Sequence, residues 1–374
     1  MVDASTGQII YEQDANQKLP IASISKLLTV AVIHDELKKN AISAYTKVKV
    51  TSDISEISND PNYSSIGLQE GQSYSVIELL NAAMVKSADG ATAALATADG
   101  SSPDAFVLSM DKKAKEIGLT NASIINPTGL TNGEMKNLCS DSVSDDAENE
   151  MTARDVALLA RYLIHSYPAL LKVTAQKKAN FFISKGNTKS VKNLNKMLPG
   201  CSYTVPGVTI SGLKTGTSDK AGACFVSVGK YRGHQIITVV LHANGENDDS
   251  RFIQTQKLYR MLKDDYCLQT VDLTSSMSNV QIAGGNRKTI ATSPKQLTVW
   301  GKKRLKSYTI AQSLEHRLVN KRQQLCDPVK KGQRIGSIRL TSKQLRTVSG
   351  EPLTYPLKSD NAVGKGTLIT KLFN

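Results

Sequence analysis

The charge of this chain is not spread along it, and that asymmetry constrains its folding more than any other feature. From Tyr266 to Asn374 there are 19 Lys/Arg against 5 Asp/Glu, whereas Met1 to Asp265 carries 28 of each. The whole net charge of +14 therefore resides in the C-terminal part. Such a step reads as a boundary near residues 263 to 275, with a neutral domain over 1–265 and a basic one over 270–374. A basic module seeks polyanions, although a solvated lysine surface gives the same composition. The chain is otherwise globular in character, 40% apolar and 21% charged, which excludes collagen, coiled coil and wholesale disorder. Its apolar runs, such as the one inside Leu27 to Ile33, fall well short of the ~18 residues of a membrane-spanning helix.

Val2 to Ala4 and Gln8 to Tyr11 flank Ser5-Thr6-Gly7, so the chain is expected to open with a hairpin. Ser23 begins an apolar run through Ile33 that suits a buried helix. Ser75 with Glu78 forms a capping box ahead of a second helix that ends near Ser87-Ala88-Asp89-Gly90. A third has Ser102 as N-cap, Pro103 in first position and Gly118 past its end. Thr152 with Asp155 opens a fourth, whose Val156, Leu159, Ala160, Leu163 and Ile164 share one face. Between the last two, Asp141, Asp145, Asp146, Glu148 and Glu150 suggest an exposed acidic loop. Strand patterns follow at 208–213, 224–228 and 235–241, then helical spacing over 251–262. Strands at both ends with helices between predict an α+β domain whose terminal segments pair in one antiparallel sheet. The basic remainder reads as a small all-β module, with candidate strands at 296–300, 308–310, 335–340 and 367–372.

The five cysteines are at least 23 residues apart, too scattered for a disulfide framework or a zinc knuckle. They read as small buried hydrophobes. The five histidines show no metal-ligand spacing, so no metal and no cofactor is expected.

Two short strings carry chemistry. Ser23-Ile24-Ser25-Lys26 is an S-x-x-K at a helix start, and three residues is almost one turn, so hydroxyl and ammonium share a face. That geometry lets a lysine take a serine's proton, and the helix N-terminus favours a developing oxyanion. Alone the signal is weak, since roughly three such matches are expected by chance among 37 Ser in a Lys-rich chain. Lys214-Thr215-Gly216 lies on a predicted strand, where a glycine lets a ligand or another backbone approach closely. Ser87-Ala88-Asp89 falls between the two in sequence, at a helix end. The order S-x-x-K, then S-x-N-like, then KTG is that of penicillin-binding proteins and class A β-lactamases.

With these motifs, the opening Val2-Asp3-Ala4-Ser5-Thr6-Gly7, the Asn126-Pro127-Thr128-Gly129-Leu130 string and Thr152-Ala153-Arg154-Asp155, the chain resembles a low-molecular-mass penicillin-binding protein. The resemblance covers nearly the whole chain and is to the serine-type D-alanyl-D-alanine carboxypeptidases. It implies a transpeptidase-like fold, a helical cluster on an antiparallel sheet, followed by a small all-β domain. It also implies removal of the terminal D-Ala from peptidoglycan pentapeptides and acylation by β-lactams. Carried over, Ser23 is the nucleophile, Lys26 its general base, and Ser87 a relay toward the leaving D-Ala. Lys214, Thr215, Gly216 and Thr217 belong to the substrate-binding strand. The N–H groups of Ser23 and Thr217 supply the oxyanion hole. Arg251 is either a further carboxylate ligand or a solvated helix-start arginine.

Two departures stand out. Asp89 occupies the substrate-binding position that normally holds Asn, and a carboxylate can accept but not donate; beside Lys26 it favours the ammonium, so it is expected to slow acylation. No export signal precedes the opening segment and no amphipathic anchor follows Asn374, although the implied site of action is extracytoplasmic. The alternatives are a β-lactamase-like hydrolase or a catalytically impaired wall-binding protein. The basic domain suggests an anionic wall polymer or membrane surface as partner rather than nucleic acid, because its aromatics (Trp300, Tyr308, Tyr355) are too few for a stacking platform.

Overall fold

The computed structural model describes residues 1–243, 245 and 247–366, so the candidate strand at 367–372 lies outside the described residues. The chain divides into two compact units: Met1–Ser5 with Tyr11–Arg260, and Thr6–Ile10 with the chain from Met261 onward.

In the first unit, short strands β1 (Val2–Asp3), β2 (Lys18–Pro20), β3 (Lys47–Lys49), β4 (Ser73–Ser75) and β5 (Glu150–Thr152) alternate with helices. The helices are α1 (Lys26–Lys38), α2 (Ser52–Asn59), α3 (Val76–Val85), α4 (Asp89–Leu95), α5 (Pro103–Ile117), α6 (Ala153–Ser166) and α7 (Leu170–Thr174). A hairpin of β6 (Lys178–Ser184) and β7 (Asn187–Lys192) follows. Then come β8 (Thr209–Ser218), β9 (Gly222–Tyr231), β10 (His234–Ala243) and α8 (Ser250–Asp265). One antiparallel sheet has the order β1-β10-β9-β8, with Val2 opposite Ile237 and Lys214 opposite Val226. The two ends of the unit thus meet in one sheet, as the pattern of terminal strands requires.

The helix ends obey their capping chemistry. Ser75 and Glu78 form a capping box at α3, Ser102 caps α5 ahead of Pro103, and Gly118 ends α5 at φ 90°. Helix α1 is buried from Lys26 to Ile33, and Ser23 sits on a 3-10 turn (Ala22–Ser25) that leads into it. The hairpin β6–β7 and helix α2 were not read from the sequence: Lys185 and Gly186 make a tight turn between largely polar strands whose apolar alternation is weak.

The opening segment does not form the expected two-stranded hairpin, although Met1 and Tyr11 exchange main-chain hydrogen bonds at 2.8 and 3.3 Å. Val2–Asp3 pairs with β10, whereas Gln8 bridges Thr347 and its side chain exchanges hydrogen bonds with the main chain of Trp300 at 2.7 and 2.9 Å. Longer-range sheet partners outcompete the local turn.

The second unit is sheet-rich. It contains β11 (Cys267–Asp272), the short helix α9 (Ser275–Ser278), β12 (Asn279–Ala283), β13 (Thr289–Ser293), β14 (Gln296–Gly301), β15 (Thr309–Leu314), β16 (Leu325–Cys326), β17 (Arg334–Thr341) and β18 (Leu353–Ser359). Their apolar faces enclose a core that includes Val280, Ile290, Leu297, Ile338 and Leu357. All five cysteines are free thiols, and Cys267 and Cys326 are exposed, against the reading of all five as buried.

The cap of α6 is a compact test of this architecture. Thr152 Oγ donates to Asp155 at 2.5 Å and accepts from its N–H at 3.0 Å, with both residues buried. Thr152→Val should lower stability by about 1–2 kcal/mol in urea titration, because the cap is lost and Asp155 loses a buried donor. An unchanged midpoint would show that the cap contributes nothing.

Candidate active site

Three close approaches of backbone build the site, and two depend on glycine. A Cβ on Gly129, whose φ is +84°, would lie 2.0 Å from the carbonyl oxygen of Ala22. On Gly216 it would lie 2.6 Å from the Ile21 oxygen. The glycine of the KTG strand therefore admits another backbone, the segment carrying Ser23. The third approach is Ile21 N–H to Asn149 O at 3.0 Å.

Lys26 opens α1 with its side chain fully buried, and its ammonium has three acceptors for three protons: Ser23 Oγ at 2.7 Å, Asp89 Oδ1 at 2.6 Å and Thr128 O at 2.7 Å. Burial pulls the Lys26 pKa down, and the Asp89 carboxylate pulls it partly back. Ser25, by contrast, is fully buried and donates to Ala22 O at 2.6 Å. On this turn the two serines face different surroundings.

Ser87 stands at φ +66° in the bend between α3 and α4, where it accepts from Lys214 Nζ at 2.7 Å. Lys214 also donates to Thr215 O at 2.8 Å. Its pKa falls well below the ordinary lysine value, first through burial and then through repulsion by Lys26. Asp89 begins α4 and gives its second oxygen to the Ser64 N–H at 3.0 Å. The sequence-derived residues Ser23, Lys26, Ser87, Asp89 and Lys214 are thus brought together from three parts of the chain.

Arg251 is buried, not a solvated helix-start arginine. It donates to Gly216 O at 2.8 Å and to Thr217 Oγ at 2.6 Å, with Asp248 3.1 Å away. It thereby fixes the end of β8, where Thr217 is exposed. The acidic loop is only partly a solvent feature: Glu148 is buried and accepts from Ser218 Oγ at 2.7 Å, and Lys220 holds Asp146 at 2.7 Å.

Sequence reasoning left several positioning residues without a role. Asn126 Oδ1 gathers the N–H groups of Thr128 and Gly129 and the Thr128 hydroxyl, which aims the Thr128 carbonyl at Lys26. Asn149 accepts from the N–H groups of Ile125 and Asn126. The Asn-Pro-Thr-Gly turn was a visible signal, but its target was not local in sequence.

A serine hydroxyl against a buried lysine, beside a second lysine on a sheet edge, defines a serine acyl-transfer enzyme. The profile of the D-alanyl-D-alanine carboxypeptidase family S11 matches residues 1–245, and the chain belongs to that family. Its activity is that of a serine-type D-alanyl-D-alanine carboxypeptidase of the penicillin-binding protein group. It is 26% identical to DacF of Bacillus subtilis over 90% of this chain and 79% of the relative, and 29% identical to DacC of Escherichia coli over 90% and 78%. A peptidoglycan synthesis regulatory factor (PBP3) of Streptococcus pneumoniae superposes with TM-score 0.82, 30% identity and 97% coverage of each chain. The fold expected from the resemblance is the one observed.

The ion pair of Lys26 and Asp89 is shielded from water, with side chains 0% and 4% exposed. Removing one partner leaves an uncompensated buried charge. Lys26→Met should destabilise the fold by about 3–5 kcal/mol, and the double variant Lys26→Met/Asp89→Leu should recover most of that loss. Equal melting of single and double variants would show that the pair has no such coupling.

Proposed function

We propose that Ser23 attacks the carbonyl carbon between the two terminal D-Ala residues of a peptidoglycan pentapeptide, with Lys26 taking the Ser23 proton and Ser87 handing a proton to the departing D-Ala. Lys214, Thr215, Thr217 and Arg251 receive the substrate's terminal carboxylate. The backbone N–H groups of Ser23 and Thr217 hold the oxyanion, and Gly216 lets β8 lie close enough for this. The observation that carries the reading is the 2.7 Å contact of Lys26 Nζ with Ser23 Oγ. Acylation by β-lactams belongs to the same chemistry; a structural neighbour, penicillin-binding protein D2 of Listeria monocytogenes, is 25% identical with TM-score 0.56 and has been solved in an ampicillin-bound form. Residues 1–265 are the catalytic domain in this reading and 270–374 a separate basic one.

Mass spectrometry after brief exposure to penicillin tests the assignment. One adduct should form, on Ser23; Ser23→Ala should lose both the adduct and D-Ala release, while Ser25→Ala keeps the adduct because Ser25 is committed to Ala22 O. An adduct on Ser23→Ala would overturn the nucleophile.

The enzyme works outside the cytoplasm, and its basic domain holds it near an anionic wall polymer or membrane surface. Lys303, Arg304, Lys306, Lys321, Arg322, Lys330 and Lys331 are all exposed, which supports this reading. Exposed charge pairs weaken as the Debye length falls from ~10 Å at 0.1 M salt to ~3 Å at 1 M. The full chain should sediment with purified wall at low salt and be released as salt rises. Replacing Lys303, Arg304 and Lys306 by Gln should reduce retention and leave acylation of Ser23 unchanged; salt-insensitive retention would remove the electrostatic tether.

A further inference from the structure

The corner where β8 ends holds a carboxylate of the chain itself. Arg251 makes four hydrogen bonds there: Nε donates to Asp248 O at 2.5 Å, Nη1 to Gly216 O at 2.8 Å and to Cys224 O at 3.3 Å, and Nη2 to Thr217 Oγ at 2.6 Å. Nη2 also stands 3.1 Å from Asp248 Oδ1 in an ion pair. The Thr217 hydroxyl oxygen accepts from Arg251, and its single proton is directed at Asp248 Oδ2, 3.4 Å away. One carboxylate therefore faces both Thr217 Oγ and the Arg251 guanidinium, the two groups read as receiving the substrate's terminus.

Of the four hydrogen bonds, three end on main-chain carbonyls and one on a hydroxyl of the strand itself. The Asp248 carboxylate differs from these partners, because it can leave by side-chain rotation alone. Its main chain stays in place. Arg251 Nε holds Asp248 O, and Asn247 braces the turn from β10 to α8: its Oδ1 accepts from the Asp249 N–H at 3.0 Å and its O from the Ser250 N–H at 3.1 Å. The Asp248 side chain is 66% exposed whereas that of Arg251 is 4% exposed. Water thus readily replaces the partners of Asp248, but the buried guanidinium needs another acceptor once that carboxylate leaves. An incoming carboxylate supplies one.

The geometry points to Asp248 as an internal stand-in for the substrate's terminal carboxylate: its own carboxylate occupies the corner of Thr217 and Arg251 until that of the substrate displaces it, and Asp248 thereby sets how strongly the site selects an anionic terminus. This rests on the reading that Thr217 and Arg251 receive the terminal carboxylate. Exchange of one carboxylate for another returns to the substrate only the difference between the two. The corner is free in a fraction of the molecules, and the apparent affinity for an anionic ligand is reduced by that fraction. A ligand with a neutral terminus does not compete for these donors and escapes the reduction. Ground state and transition state both carry the carboxylate, so the exchange acts on KM and leaves kcat alone.

Penicillin and its methyl ester, which lacks the anionic terminus, test the stand-in. Asp248→Ala should raise the second-order rate of Ser23 acylation by penicillin about two- to fivefold, the range an exposed ion pair supplies, and leave acylation by the ester unchanged. For D-Ala release from a pentapeptide, KM should fall by the same factor at constant kcat. Asp249→Asn is the control for charge alone. It removes the same charge one residue on, from a carboxylate held by Lys196 and Tyr203, and should give no comparable gain. An acid-to-ester rate ratio that is the same in Asp248→Ala as in the unmodified protein overturns the stand-in, as does an equal gain in Asp249→Asn. No preference for acid over ester in either protein overturns instead the carboxylate reading of Thr217 and Arg251, and absence of any Ser23 adduct overturns the nucleophile. Ester acylation at the unmodified rate also shows that Asp248→Ala is folded; where it is lost, Asp248→Asn, which keeps the side-chain shape and removes the charge, is read by the same ratio.

Discussion

The site depends on how one carboxylate and two lysines are buried together. Taking an ammonium out of water costs several kcal/mol unless its protons find acceptors. Lys26 meets that requirement with Asp89, Ser23 and Thr128, whereas among the described residues Lys214 has the Ser87 hydroxyl and a main-chain carbonyl. The difference in partners separates the two amines chemically. Among the described residues Lys26 has a carboxylate in contact and Lys214 has none, and burial with repulsion by Lys26 holds the Lys214 pKa well below the ordinary lysine value. Every other element of the site serves to bring these acceptors within reach: the turn at Asn126 aims Thr128, the bend at Ser87 starts α4 with Asp89, and Ser64 holds the far side of the carboxylate.

Such a cluster tolerates little displacement, and the backbone is packed accordingly. Gly90 would place a Cβ 2.4 Å from the Ser58 Cβ, so α4 rests directly on α2. Gly129 and Gly216 remove the side chains that would separate the Ser23 turn from its two neighbours. The same logic explains why Arg251 is buried although it starts a helix. Its guanidinium bonds the Gly216 and Cys224 carbonyls of adjacent strands and so ties β8 to β9 where Thr217 emerges.

Much of this was legible in the sequence because it is local. Capping boxes at Ser75 and Thr152, the Pro103 to Gly118 helix and the three long strands of the sheet follow from residues within one or two turns of each other. The motif order located Ser23, Lys26, Ser87 and Lys214. What failed was non-local. Gln8 reads as part of a hairpin until Thr347 and Trp300, more than 290 residues away for the latter, are seen to bind it. Strand β18 carries Pro356, which has no N–H for a ladder, and was missed, although its burial alternates regularly from Leu353 to Ser359. The direction of the Asp89 side chain also escaped, because nothing in Ser87-Ala88-Asp89 announces the Ser64 N–H.

Net charge and site charge obey different rules here. The neutral 1–265 segment holds a cationic site, because Lys26, Lys214 and Arg251 converge around a single buried carboxylate while Asp248 remains largely in solvent. An asparagine at position 89 would leave Lys26 and Lys214 competing to shed a proton without any anion between them. The carboxylate lets Lys26 remain an ammonium without adding to the local field. Arg251 holds the end of β8, Lys214 lies on that strand against Ser87, and the Lys26–Asp89 pair lies against Ser23. A single carboxylate at the start of α4 thus sits among three buried cations and is paired directly with one of them.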